Sequence, residues 1–218
     1  LQTVSLVKSA DLDILDESAR KDSETKVVAF GNPDGTLSSA VEEVDAIKGL
    51  FPTAAVYVGK AANKSVVNKL GEENPSLLHF ATHGVLDSGD PQANHLVLAG
   101  SDGRLSVNEI AGLDLGENMR LVTLSACQTA MVNESPRSEL LQSMADAFGY
   151  AGSPSVVASL WSVSDASTKV LMEEFYSQLK LGRSKSEALQ RAAQKVHSSK
   201  QYSHPFYWAP FVLIGDWR

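Results

Sequence analysis

Two apolar runs constrain this chain more than any other feature. Ser76–Gly84 (SLLHFATHG) and Leu121–Thr129 (LVTLSACQT) have strand length, and each ends in small or reactive residues. Runs that are apolar throughout suit strands covered on both faces, as in parallel sheets. Further short apolar runs, Lys26–Gly31 and Ser155–Trp161, are separated from them by stretches with helical spacing. Strand and helix in alternation imply right-handed crossovers. The expected fold is α/β, with a mostly parallel central sheet flanked by helices on both faces.

Open parallel sheets gather function at the carboxyl ends of their strands. The two runs bring an imidazole, His83, and the single thiol of the chain, Cys127, to neighbouring strand tips. A thiol attacks a carbonyl as thiolate, and a nearby imidazole favours that form. Gly84 allows close approach to the backbone, and its N–H, with that of Cys127, can stabilise an oxyanion. The competing reading of a lone cysteine at a strand end is a buried small hydrophobe. His79, four residues before His83, reads as a core histidine. His95, His197 and His204 show no metal-ligand spacing, so no metal and no cofactor is expected.

Composition narrows the function classes. Hydrophobic residues are 43% and charged residues 21%, the balance of an ordinary globular domain. A net charge of −7 without a basic stripe argues against direct nucleic-acid binding and mildly favours a basic peptide or protein substrate. No run reaches the roughly 18 apolar residues of a membrane span. One cysteine excludes an internal disulfide framework and fits a reducing compartment, so a cytoplasmic location is expected.

Residues 1–25 read as a lead-in or connector from an upstream region, and 26–218 as a single domain. Asn32-Pro33-Asp34-Gly35 reads as a plain strand-to-helix turn without dinucleotide-binding spacing. Helices are expected at Ser38–Leu50, capped by Ser38 or Ser39 with Val41, Val44, Ile47 and Leu50 on the apolar face, and at Ala61–Leu70. Others are expected at Val107–Ala111 with a Ser106/Glu109 capping box, at Ser138–Tyr150, at Asp165–Lys180 after a Ser164 cap, and at Ser184–Ser198. Asn94–Gly100 reads as a hairpin-like excursion, and Tyr207–Trp217 as an edge strand on account of Pro210. Val85–Pro91 and Met131–Arg137 are polar loops just beyond His83 and Cys127.

Several motifs resemble known families. Ser125–Thr129 (SACQT) is partly similar to the caspase pattern Q-A-C-[RQG]-G, whose histidine lies about 50 residues upstream; here His83 lies 44 residues before Cys127. The chain more closely resembles the CHAT domain, a caspase-like peptidase module often attached to TPR repeats. The motifs are HFATHG (His79–Gly84), LSACQT (Leu124–Thr129), ASLWSVSD (Ala158–Asp165), EEFYSQL (Glu173–Leu179) and HPFYWAPFVLIGD (His204–Asp216). The family's opening is similar to Val27–Lys48. The resemblance covers nearly all of Lys26–Arg218 and implies a caspase–hemoglobinase-like fold.

The same resemblance implies site roles: His83 as general base, Cys127 as nucleophile, the Gly84 and Cys127 N–H groups as the oxyanion hole, and Gln128 shaping the pocket. The implied function is a cysteine endopeptidase that cleaves specific proteins through a thioester. It would be regulated by a partner or an upstream TPR-type domain. A latent or non-catalytic interaction module on the same fold stays open, as does a small-molecule thiol hydrolase. Leu160–Asp165 resembles the tryptophan-containing loop of separases, distant relatives that cleave after arginine. Asp165 matches one of their acids, whereas Ser162 stands where they carry an aspartate. Asp87 and Asp90 are further candidates for substrate contact.

Overall fold

The computed structural model describes residues 25–85, 90, 93–125 and 137–218, with the side chains of 137–140 excepted. Among them the strands are β1 (Val27–Gly31), β2 (Ala55–Val58), β3 (Leu77–Ala81), β4 (Gly84–Val85), β5 (His95–Val97), β6 (Arg104–Ser106), β7 (Leu121–Leu124), β8 (Ser155–Ser159) and β9 (Phe211–Gly215). The helices are α1 (Ser38–Leu50), α2 (Lys64–Val67), α3 (Leu70–Glu73), α4 (Val107–Ala111), α5 (Arg137–Tyr150), α6 (Asp165–Lys180) and α7 (Lys185–His197). Six strands form one sheet in the order β2-β1-β3-β7-β8-β9. Neighbours run parallel except β8 and β9, which are antiparallel.

The unbroken apolar runs fold as their composition requires. Every residue of β1, β3, β7 and β8 is buried, because helices cover both faces of the sheet. Side chains alternate between those faces. Phe30, Leu78, Phe80, Val122 and Leu124 pack with Val67, Leu70, Ile110 and Phe148 from one side. Val27, Leu77, Leu121 and Val157 pack with Ile47, Leu171, Phe175 and Leu189 from the other. Phe80 stacks on Phe30 at 5.0 Å and meets Phe148 at 5.9 Å, which joins two strands to α5. Each fully buried Phe or Leu contributes about 1.5–3 kcal/mol of transfer free energy.

Several local expectations are corrected. The buried stripe of α1 is Ala40, Glu43, Val44 and Ile47, with Val41 and Leu50 only half-buried. Gly31 is the reason: a Cβ there would lie 3.0 Å from Val44 Cγ2 and 3.2 Å from the Ala40 carbonyl, so its absence lets this face lie close to the strand. Ser38 and Ser39 lie inside the helix. The Leu37 N–H just before them donates instead to Asn32 Oδ1 at 2.8 Å. The helix expected at Ala61–Leu70 is two shorter ones: Asn63 starts α2 by accepting the Val66 N–H, α2 ends at Val67, and α3 begins at Leu70. Ser164 stands at the N-cap of α6, yet its side chain makes no capping bond. The Ser106/Glu109 capping box forms with both bonds. The C-terminal strand is confined to Phe211–Gly215, since Pro205–Tyr207 is a 3₁₀ turn; it does lie at a sheet edge.

The excursion after His83 is a second, antiparallel sheet of β4, β5 and β6. It is anchored by an Asn63–Ala99 bridge and by Lys64, whose Nζ lies 2.7 Å from Glu109 and 3.1 Å from Asp102. Those bonds hold the Glu109 carboxyl at a pKa of about 2, through the Lys64 hydrogen bond first and the Ser106 bonds next. Among the described residues no helix is long and apolar enough to cross a membrane. The hairpin turn depends on Gly103, where a Cβ would fall 2.0 Å from the Leu98 carbonyl oxygen. Gly103→Ala is expected to lower stability by about 1–3 kcal/mol in chemical denaturation. An unchanged midpoint would contradict this tight turn.

Candidate functional site

The site is built on the carboxyl end of β3. The register pairs Gly31 of β1 with Ala81 of β3, and the Asn32 N–H donates to the Ala81 carbonyl at 3.0 Å. The loop after β1 therefore runs beside Thr82 and His83. Asn32 takes a left-handed conformation (φ 47°), which asparagine tolerates better than most residues. Asp34 Oδ1 then accepts the Thr36 N–H at 3.1 Å and the Thr36 hydroxyl at 2.8 Å.

The Thr36 hydroxyl oxygen lies 2.5 Å from His83 Nε2. A carboxylate can only accept, so the hydroxyl proton goes to Asp34 and the oxygen must accept from the ring. The proton of His83 therefore sits on Nε2, and Nδ1 carries the free lone pair. Asp34 Oδ2 stands 3.7 Å from the same Nε2. Burial pushes the Asp34 pKa up, but the two Thr36 bonds and the charge of His83 outweigh it, so the carboxyl titrates below the ordinary range. The His83 side chain remains 14% exposed. The imidazole is oriented on one edge and reachable.

The backbone of His83 is clamped from the small sheet. Its carbonyl accepts the Val97 N–H at 2.8 Å, and the Thr82 hydroxyl donates to the Val97 carbonyl. Levels in an antiparallel ladder alternate between bonded and non-bonded pairs. The His83–Val97 bond makes the next level, Gly84 opposite Leu96, a non-bonded one. The Gly84 N–H therefore points away from β5.

Asp165 opens α6 and is half-buried. Burial and then the charge of Glu43 push its pKa up, while the charge of His83 pulls it down. Asp165 thus feels His83 across the carboxyl end of the sheet. Trp161, before α6, donates Nε1–H to the Phe206 carbonyl at 3.0 Å, and the two rings stand 6.4 Å apart. Ser162 is exposed. Cys127, Gln128 and Asp87 lie outside the described residues; Asp90 is exposed.

His79 is fully buried, as its core reading required, but it is not an isolated core residue. Its Nε2 lies 2.9 Å from Glu43 Oε1, and its Nδ1 lies 3.0 Å from the Tyr176 hydroxyl. Asp34, Thr36 and Glu43 were not legible as site residues. A signal existed for each: an acid and a hydroxyl in the turn after a parallel strand, and an acid at a stripe position of α1. Thr36→Val is expected to remove the tautomer preference of His83. Ring ¹⁵N spectra should show the Nε2–H form in the wild type and an averaged pattern in the variant. A variant spectrum identical to wild type would refute the Thr36 assignment.

A mostly parallel six-stranded sheet with helices on both faces defines a caspase-like fold. Gingipain R (RGPB), an Arg-specific cysteine proteinase, superposes with a TM-score of 0.62 over 88% of this chain and 46% of its own, at 14% identity. Saccharomyces cerevisiae separase in its securin complex gives 0.57 over 88% of this chain and 12% of its own, at 18% identity. The chain belongs to the CHAT domain family, which it matches over residues 2–216. Tetratricopeptide repeat protein 28 is 41% identical over 104 residues in Mus musculus and 39% in Homo sapiens. That stretch is 48% of this chain and only 4% of each relative.

Proposed function

We propose that this chain is a cysteine endopeptidase acting through a His83–Cys127 dyad. One observation carries the reading: a reachable imidazole two residues beyond a central strand, with its Nε2–H donating to Thr36, so that the lone pair of the neutral ring lies on Nδ1. The strand register adds support. β3 and β7 pair with a constant offset of 44, Leu77 with Leu121 and Phe80 with Leu124, and His83 and Cys127 are also 44 apart. In this reading His83 Nδ1 takes the Cys127 thiol proton. The thiolate adds to the scissile carbonyl, and the Gly84 and Cys127 N–H groups hold the oxyanion. Collapse breaks the C–N bond, with His83 returning the proton to the leaving amine. Water, deprotonated by His83, then cleaves the thioester and frees Cys127.

Asp165 is the proposed acid for a basic side chain at P1. Burial first and the charge of Glu43 next push its pKa up, and the positive charge of such a side chain would favour the carboxylate. Gln128 and Asp87 are the further proposed pocket residues. We also propose a reducing, cytoplasmic setting and control by a TPR-type region, since the relatives are TPR proteins.

Turnover of a peptide library tests this directly. Cys127→Ala and His83→Ala are each expected to lower turnover by at least about 10³-fold, with unchanged circular dichroism. Asp165→Ala should lose the preference for arginine at P1. Turnover surviving in Cys127→Ala would overturn the dyad, and an unchanged P1 profile would remove Asp165 from the pocket.

A further inference from the structure

Four polar side chains form a buried chain beneath the site. Glu43 Oε1 lies 2.9 Å from His79 Nε2 as a close charge contact without hydrogen-bond geometry, and neither atom has a hydrogen-bond partner among the described residues. His79 Nδ1 meets the Tyr176 hydroxyl at 3.0 Å, and that hydroxyl donates to Thr123 Oγ1 at 3.2 Å. His79, Thr123 and Tyr176 are fully buried, and Glu43 is 3% exposed. Burial and the charge of Glu43 push the Tyr176 pKa up, so its hydroxyl stays protonated and can donate.

Such a chain is a costly way to fill a core. Buried ion pairs are often no more stabilising than apolar residues of equal volume. Their distinctive property is direction, since a hydrogen bond fixes rotation and axial position where apolar surfaces can slide. The members are distributed accordingly. Glu43 is on α1, which follows the Asp34–Thr36 loop; His79 is on β3, which leads to His83; Tyr176 is on α6, which begins at Asp165; Thr123 is on β7, which leads to Cys127. The backbone ladder already sets His79 opposite Thr123. What the ladder does not set is how the two helices lie against the sheet.

We propose that Glu43, His79 and Tyr176 are positioning residues. The His79–Tyr176 and Tyr176–Thr123 hydrogen bonds lock α6 against β3 and β7, the buried 2.9 Å Glu43–His79 contact ties α1 to the same histidine, and together they hold Thr36 and Asp165 in place about His83. The Lys169–Glu42 contact of 2.7 Å joins the same two helices at their surface, but it is exposed and contributes little fixity. The inference rests on the reading of His83 and Asp165 as site residues.

Tyr176→Phe tests it, because it removes one oxygen and keeps the ring contacts with Phe51, Phe175 and His79. Its melting temperature should stay within about 5 °C of wild type. Turnover kcat should fall about tenfold, with KM changed less than about twofold, as expected of a small misplacement transmitted to the chemistry. The His83 ring ¹⁵N signals should lose their clean Nε2–H pattern although Thr36 is intact. Glu43→Gln, of the same shape, is the second variant and should act in the same direction; it decides the matter if Tyr176→Phe does not fold. If the wild type shows no turnover, the peptidase reading fails while the ¹⁵N spectra still decide this one. Folded variants with wild-type His83 spectra overturn the proposal.

Discussion

Everything at the site depends on β3. It is buried on both faces and hydrogen-bonded along both edges, to β1 and to β7. A strand so enclosed has no freedom to shift register, because a one-residue slip would turn every side chain to the opposite face. The imidazole at its tip inherits that fixity. The second layer of control is local: Thr36 fixes the ring, and Val97 fixes the peptide behind it. β3 supplies the coordinates of His83, and one loop and the edge of β5 supply its orientation.

The polar groups around this strand are unevenly placed. On the face toward α5 the packing is apolar and aromatic, with Phe30, Phe80 and Phe148 in contact. On the face toward α1 and α6 lies the Glu43–His79–Tyr176–Thr123 chain. Asp165 extends this polarity to the rim. Its carboxylate is disfavoured by burial and by Glu43, so its ionised form costs stability at neutral pH. As its folded pKa lies above the unfolded value, that cost is absent below the unfolded pKa, builds as pH rises between the two values and is fully present above the folded one. Residues that cost stability where a ligand charge would relieve them are common at functional sites.

Much of this was legible in the sequence because burial on both faces leaves an unmistakable trace. The runs Lys26–Gly31, Ser76–Gly84, Leu121–Thr129 and Ser155–Trp161 read as buried strands, and the strands Val27–Gly31, Leu77–Ala81, Leu121–Leu124 and Ser155–Ser159 lie within them. The Ser106/Glu109 box was legible because its two bonds are local. The errors share a cause, which is that a tertiary contact decided what local chemistry left open. Gly31 rotated the face of α1 away from the Val41/Leu50 stripe. Asn32, accepting the Leu37 N–H, sets where α1 begins, and the N-cap Leu37 makes no side-chain capping bond. Asp34 and Thr36 looked like an ordinary turn because their meaning lies in a histidine 47 positions beyond Thr36. The role of Glu43 likewise lies in His79, which is distant in sequence and adjacent only in the fold.

The most direct test of the central claim is the reactivity of the single thiol. The chain would be treated with a peptidyl acyloxymethyl ketone carrying arginine at P1, beside His83→Ala, and followed by intact mass. The account predicts one adduct on the wild type, mapped to Cys127, and at least about a hundredfold slower labelling when the imidazole is removed. Equal labelling rates for the two proteins would show that His83 does not activate the thiol, and would contradict the dyad.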